Sequence, residues 1–266
     1  MLSATRYAIK TESLRPFVKH IWHLEADGEV HHKLLPTGDI DVLINLADDI
    51  IYEFDGKRSV APLCHINGLR SKPAFIHQTG RICVLGISFQ AYGLYPFVCK
   101  PAAASDQIID LDTVSPLLSD KLRAAASGGT IDTRISNLES ALHSELRTDS
   151  GYLTSAVLIG EFLSRDSPVH VSAFCDEKAI NLKTFERSVV KYTGYTPNLL
   201  HRIKRFQTVS NQLVHQQCGL TDLAYDHHYA DQPHLTKEFR RFAGKPPKDF
   251  RKQNISVKEN IRYGYR

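Results

Sequence analysis

Two short stretches carry the side chains with the most chemistry to offer. Lys183, Glu186 and Arg187 stand in the first, and Gln232, Thr236 and Lys237 in the second. Each set follows a residue able to cap a helix, Asn181 or Asp231, and the two caps are fifty residues apart. Apolar residues recur in each copy at helical spacing: Phe185, Val189 and Tyr192, then Leu235, Phe239 and Phe242. Each copy stops at a glycine followed by a proline, Gly194 and Pro197 in the first and Gly244 and Pro247 in the second. The apolar face anchors such a helix, which turns the six polar side chains outward near its N-terminal end. Long polar groups held that way are suited to hydrogen-bond recognition. Arg and Lys match the acceptors of guanine, and Gln matches adenine.

The elements around these stretches are those such a reading requires. Val171-Ser172-Ala173-Phe174-Cys175 and Thr221-Asp222-Leu223-Ala224-Tyr225 read as partner helices, with Cys175 and Ala224 as the small residues that let two helices approach. Between the copies, Pro197 to about Gln216 reads as one long helix. Leu199, Ile203, Phe206 and Leu213 line one side of it, and Leu200 and Val209 widen that side. Some twenty residues span about 30 Å, close to the ~34 Å between successive major-groove faces of one side of a duplex. Arg202, Lys204, Arg205 and Lys245 are placed to meet phosphates, although solvent exposure explains each equally well.

Charge follows the same division. Residues 151–266 hold 18 Lys+Arg against 11 Asp+Glu, a net of +7, whereas the first 150 hold 15 against 18, a net of −3. A basic part joined to a mildly acidic one suits a polyanion reader fused to something else. At 266 residues, 42% hydrophobic and 23% charged, the chain has room for two globular domains. No apolar run is long enough to suggest a membrane span. The N-terminus has no continuous signal-like apolar stretch. The five cysteines, Cys64, Cys83, Cys99, Cys175 and Cys218, are odd in number and scattered, with no zinc or disulfide pattern. The expected compartment is the cytoplasm.

The first hundred residues read as β-rich. Ile40–Leu46 and Ile50–Phe54 flank Ala47-Asp48-Asp49 as a hairpin, and Ile82–Phe89 follows a turn at Thr79-Gly80. From about residue 113 helices take over. Ile131, Ile135, Leu138, Leu142 and Leu146 make one stripe, which either covers the sheet or meets its copy in a second subunit. The polar segment 147–151 is the expected boundary between a domain at 1–150 and another at 151–266.

Leu220-Thr221-Asp222-Leu223-Ala224, followed by Tyr229 through Arg251 with Gly244 and Pro247 in place, resembles the signature of the AraC/XylS family of transcription regulators. The segment from Asn181 to Pro197 resembles that family's other reading unit more loosely. The resemblance implies an α+β chain: a β-rich, cupin-like N-terminal domain followed by an all-α DNA-binding domain with seven helices and two helix-turn-helix units. It also implies base contacts from Lys183, Glu186, Arg187, Gln232, Thr236 and Lys237. The family usually has glycine in the turn of each unit, where this chain has Ala179 and His228; a positive φ there strains either residue. Leu14–Val18 with Trp22, Leu35–Asp41, and Leu85–Phe89 with Gly93–Phe97 resemble the sensor domain of some members.

The partner expected is double-stranded DNA, and RNA polymerase, a small-molecule effector and a second copy of the chain are the others this reading allows. Trp22, His23, Phe89, Tyr92 and Tyr95 are the candidate lining of an effector pocket, each also readable as plain core. No nucleophile–base set, phosphate loop or nucleotide fingerprint is present, so no catalytic residue and no cofactor is expected. His20, His23, His31, His32, His65 and His77 raise the alternative of a metal-dependent cupin-like enzyme fused to a DNA-binding module, but no compact His-x-His followed by Glu supports a metal site. A β-domain that only dimerises is the other alternative.

Overall fold

The computed structural model describes residues 3–98, 105–165, 170–215, 218–256 and 262–265, without the side chains of Ser3 and of residues beyond 252. Cys99, Gln216 and Arg266 lie outside the described residues. The N-terminal part is one sheet of nine strands among those described: β1 Ser3–Ala8, β2 Val18–Leu34, β3 Ile40–Asn45, β4 Ile50–Phe54, β5 Lys57–Val60, β6 Cys64–Asn67, β7 Ala74–Phe89, β8 Ile108–Asp110 and β9 Arg262–Tyr265. Its path runs β8-β6-β3-β7-β2-β1-β9, with β4 on β7 and β5 on β4. All pairings are antiparallel except that of β9, which lies parallel to β1.

The long strands β2 and β7 pair along their whole length and face each other at Gly28 and Gly80, both with positive φ. Thr79-Gly80 is therefore a bend inside one strand and not the turn before it. A side chain at Gly80 would run into the Asp48 carboxylate, which instead accepts from the Arg81 amide at 2.6 Å. The expected hairpin of residues 40–54 does not form either. Both strands pair with β7, β3 with its C-terminal half and β4 with its N-terminal half, around a corner at 46–49. The hairpin partner of β4 is β5, across Asp55-Gly56, both at positive φ as a tight hairpin turn requires.

Alternation along these strands makes two cores. One face buries Ile21, Ile44, Ile87 and Phe89 against helices, and the other gathers Leu24, Leu43, Tyr52, Ile82 and Val84. Behind the first face lie α1 Leu111–Val114, α2 Pro116–Ala126 and α3 Ile131–Glu145. Ile135, Leu138 and Leu142 of α3 are buried in that core, so the stripe covers its own domain and does not form a seam. Each fully buried leucine contributes about 1.5–3 kcal/mol. The Glu139 carboxylate fixes α3 by accepting from the amides of Lys10 and Thr11, the latter at 2.7 Å.

Among the described residues seven helices follow: α4 Ser150–Ser164, α5 Val171–Glu177, α6 Leu182–Thr193, α7 Pro197–His215, α8 Leu220–Asp226, α9 Gln232–Ala243 and α10 Pro247–Ser256. The core of the first face continues through Tyr152, Phe162, Phe174, Phe185, Phe206 and Phe239, so the sheet and the helical part share one apolar interior. No helix among the described residues is long and apolar enough to cross a membrane.

Candidate nucleic-acid interface

Helices α6 and α9 are built alike. The Asn181 side chain accepts from the Thr184 amide at 3.1 Å, and that of Asp231 from the His234 amide at 2.7 Å, so each helix begins with one free N–H satisfied. Each ends on a left-handed glycine, Gly194 or Gly244. Phe185, Val189 and Tyr192 are buried in the first, and Leu235, Phe239 and Phe242 in the second. The opposite faces are open: Lys183, Arg187 and Lys237 are exposed, and Glu186, Gln232 and Thr236 half-buried. Gln232 accepts from the Thr221 hydroxyl at 3.1 Å, which ties the start of α9 to its partner helix.

The two turns match as well. The amide of Ile180 reaches back to the Cys175 carbonyl at 2.9 Å and that of Tyr229 to the Ala224 carbonyl at 2.8 Å, closing the ends of α5 and α8 in the same way. This geometry puts Ala179 at φ 53° and His228 at φ 55°, the strained positions that the missing glycines imply. Cys175 and Ala224 are both buried where the helices meet, and burial pushes the Cys175 thiol up, as fits a packing residue.

The phosphate candidates on α7 are half-buried and bonded within the protein. Arg202 and Arg205 both donate to the buried Glu238 carboxylate, at 2.6 and 2.7 Å, and the Arg205 guanidinium lies 4.0 Å from the centre of the Tyr229 ring. Lys204 donates at 2.8 Å to the carbonyls of Leu163 and Arg165 at the C-terminal end of α4, where the helix dipole favours a cation. Lys245 is half-buried, 5.7 Å from the centre of the Phe250 ring, and burial pushes its ammonium below the usual lysine range. Sequence reasoning missed Glu238 because a carboxylate at that place on α9 reads as one more surface charge. Burial opposes its ionisation, but the hydrogen bonds and charges of Arg205 and Arg202 outweigh that and hold its carboxyl below the ordinary glutamate range.

The β-domain touches both reading units. Tyr195, just beyond α6, donates its hydroxyl to the Leu69 carbonyl at 2.8 Å. Tyr95, Tyr152 and Tyr192 pack edge to face or stacked, with ring centres 4.6–5.2 Å apart. Lys33 donates to the Ala243 carbonyl at the end of α9, at 2.6 Å. The five candidate pocket residues do not line one site. Trp22 is partly buried against the second core, on the other face of the sheet, beside Gly86, where any side chain would strike its ring. His23 is on the helix-facing side, 3.7 Å from the Cys83 sulfur. Phe89 is deep in the shared core, and Tyr92 and Tyr95 belong to the join with α4. Of the six histidines, His31 and His77 form a pair at 2.6 Å with Glu53 on the far side, but no group of three side chains among the described residues is placed to hold a metal ion.

The helix-turn-helix domain family matches residues 174–253, from within α5 into α10. This stretch is an AraC-type helix-turn-helix domain. A second match, to a domain of unknown function named DUF6597, covers residues 11–109 and so most of the sheet. The HTH-type transcriptional activator RhaS of Escherichia coli O157:H7 is 30% identical over 83 residues, 31% of this chain. The match spans 30% of the length of that relative. Among solved structures, ToxT from Vibrio cholerae O395 overlays 89% of this chain and 97% of its own with a TM-score of 0.46 and 10% identity. A transcriptional regulator with an AraC-type DNA-binding domain from Chromobacterium violaceum overlays 40% of this chain and 96% of its own, with a TM-score of 0.36 and 14% identity. In the AraC-type domain of this chain, α6 and α9 are the second helices of the two units, and α7 is the rod between them.

Proposed function

We propose that this chain is a sequence-specific DNA-binding regulator of transcription in which α6 and α9 enter successive major-groove segments on one side of a duplex. The β-domain, taken to end at residues 147–151, receives a small-molecule effector. One observation carries the DNA reading: two helices fifty residues apart share the same cap, the same buried face and the same exposed first turns, in the basic part of the chain. The described length of α7, 19 residues, spans about 28 Å, near one duplex turn. Base contacts are assigned to Lys183, Glu186, Arg187, Gln232, Thr236 and Lys237. Arg202, Lys204 and Arg205 are left out of the phosphate set because their bonds hold the protein together. A second copy, if recruited, meets this one through a face other than the α3 stripe.

The test is an operator-binding titration of the full chain, on sites recovered by genome-wide binding. Lys183→Ala and Lys237→Ala are each expected to weaken specific binding by about 1–3 kcal/mol. Affinity is also expected to fall steeply between low and moderate salt, as phosphate neutralisation requires. Unchanged affinity in both variants rejects the base assignments, and salt-insensitive binding rejects the proposal.

A further inference from the structure

Three strands bring two imidazoles to one point. His31 on β2 and His77 on β7 are directly opposite in the ladder, and Glu53 comes from β4 on the other side of β7. Val30, Tyr52 and Ile76 belong to the second core, so alternation turns these three side chains to the opposite face of the sheet. There the Nδ1 atoms of His31 and His77 lie 2.6 Å apart, with the ring planes at 80°. Each ring has a carboxylate at its outer nitrogen. Nε2 of His31 is 2.7 Å from Glu29, and Nε2 of His77 is 3.1 Å from Glu53. Glu53 is itself fixed by Arg58 of β5, which donates to it at 2.8 Å.

Counting protons shows what the pair can hold. A carboxylate only accepts, so each Nε2 keeps its proton and donates it outward. The two Nδ1 atoms then face each other with their lone pairs, which repel at 2.6 Å unless a cation lies between them. A proton is one such cation and a metal ion is the other. The outer carboxylates favour the metal, because a ligating imidazole ordinarily gives its other N–H to a carboxylate, which fixes the tautomer and raises the basicity of the ligand. Both rings are arranged this way.

We propose that His31 and His77 bind one divalent transition-metal ion through Nδ1, copper(II) or nickel(II) ahead of zinc(II). Paired imidazoles select these ions over calcium and magnesium, which take oxygen ligands. Two nitrogens about 2.0 Å from one ion lie about 2.8 Å apart in a square-planar arrangement and about 3.3 Å apart in a tetrahedral one, so the observed spacing suits the first. No group of three protein ligands forms among the described residues, and the His31 side chain is 56% exposed, so water completes the coordination. Lys33, two residues along β2 on the same face, donates to the Ala243 carbonyl, which sets the site beside the join with α9.

The experiment is calorimetric titration of the full chain with Ni2+, Zn2+ and Mg2+, joined to electron paramagnetic resonance after one equivalent of Cu2+. One Ni2+ per chain is expected to bind, more tightly than Zn2+ and without competition from Mg2+. The copper spectrum should show coupling to two imidazole nitrogens. His31→Gln and His77→Gln are each expected to weaken binding by about 100-fold or more, because one imidazole alone forfeits the chelate. Glu53→Gln should weaken it by about 10- to 100-fold through the orientation of His77. His32→Gln, on the other face of β2, should bind as the unaltered chain does. Affinity kept in both His31→Gln and His77→Gln overturns the assignment, as does tighter binding of Zn2+ than of Ni2+. Binding no stronger than in the double variant leaves the proton as the cation of the pair and overturns it too. If the glutamine variants do not fold, the copper spectrum of the unaltered chain decides, and coupling to fewer than two nitrogens rejects the site.

Discussion

The two reading units share a skeleton and differ in what anchors it. The second, α8 and α9, is bound to α7 by charge: Glu238 sits between Arg202 and Arg205, whose guanidinium groups lie over Phe242 and Tyr229. Near the same place the first unit, α5 and α6, has no buried ion pair among the described residues but aromatic contacts under the Lys191 ammonium, and they lead to the β-domain: Tyr192 against Tyr95 and Tyr152, and Tyr195 to Leu69. A buried ion pair is stiff because each partner left alone is strongly disfavoured, whereas stacked rings and one neutral hydrogen bond yield at much lower energy. The same motif is therefore made once as a fixed part of the helical domain and once as the part most directly joined to the sheet.

The hardest way to break this comparison is to remove the charge. Glu238→Gln is expected to destabilise the chain by about 3–5 kcal/mol, because two arginines then lose their anion. Urea unfolding measures it, and a loss under about 1 kcal/mol would make the two anchors equivalent. Acid gives the same contrast. The carboxyl of Glu238 is held below its ordinary value of 4.5, so as pH falls the unfolded chain takes up the proton first. The stability from this group is present above that value and is lost as pH drops through the lower, folded one. Melting temperature is expected to fall more steeply below about pH 4.5 in the natural chain than in Glu238→Gln, whose amide does not titrate.

A smaller effect is expected at the other anchor. Tyr195→Phe leaves the Leu69 carbonyl without its donor and costs about 1–2 kcal/mol. Its sharper signature is local: amide hydrogen exchange should speed up in α6 and leave α9 unchanged. Equal acceleration in both helices would mean that the β-domain holds the units as one block.

What the sequence revealed follows from how local each feature is. The caps, glycine stops and buried faces of α6 and α9 depend on residues within a few positions of one another, and each was legible. Strand pairing was not. β3 and β4 are close in sequence but each pairs with β7, and the local signal that did mark a hairpin, Asp55-Gly56, was passed over. The bonds of Arg202, Lys204 and Arg205 within the protein were not legible, because periodicity separates polar from apolar faces without telling which polar face another element covers.

The smallest effect concerns the two strained turns, and it tests whether the units are alike in backbone as they are unlike in anchorage. Ala179 and His228 occupy the left-handed region at nearly the same φ, and both are exposed, so neither side chain loses packing when replaced. Glycine removes a strain of about 1–2 kcal/mol but also gains freedom in the unfolded chain, which takes back about 0.5–1 kcal/mol. Ala179→Gly is therefore expected to stabilise by about 0.5–1 kcal/mol. His228→Gly should give less, because histidine tolerates positive φ better than alanine does. Urea midpoints of the two single variants and the double variant measure this, and the gains should add because the turns lie in separate units with no shared partner. A double variant falling well short of the sum would mean that strain in one turn is relieved through the other, and the units would then be coupled through α7 rather than anchored independently.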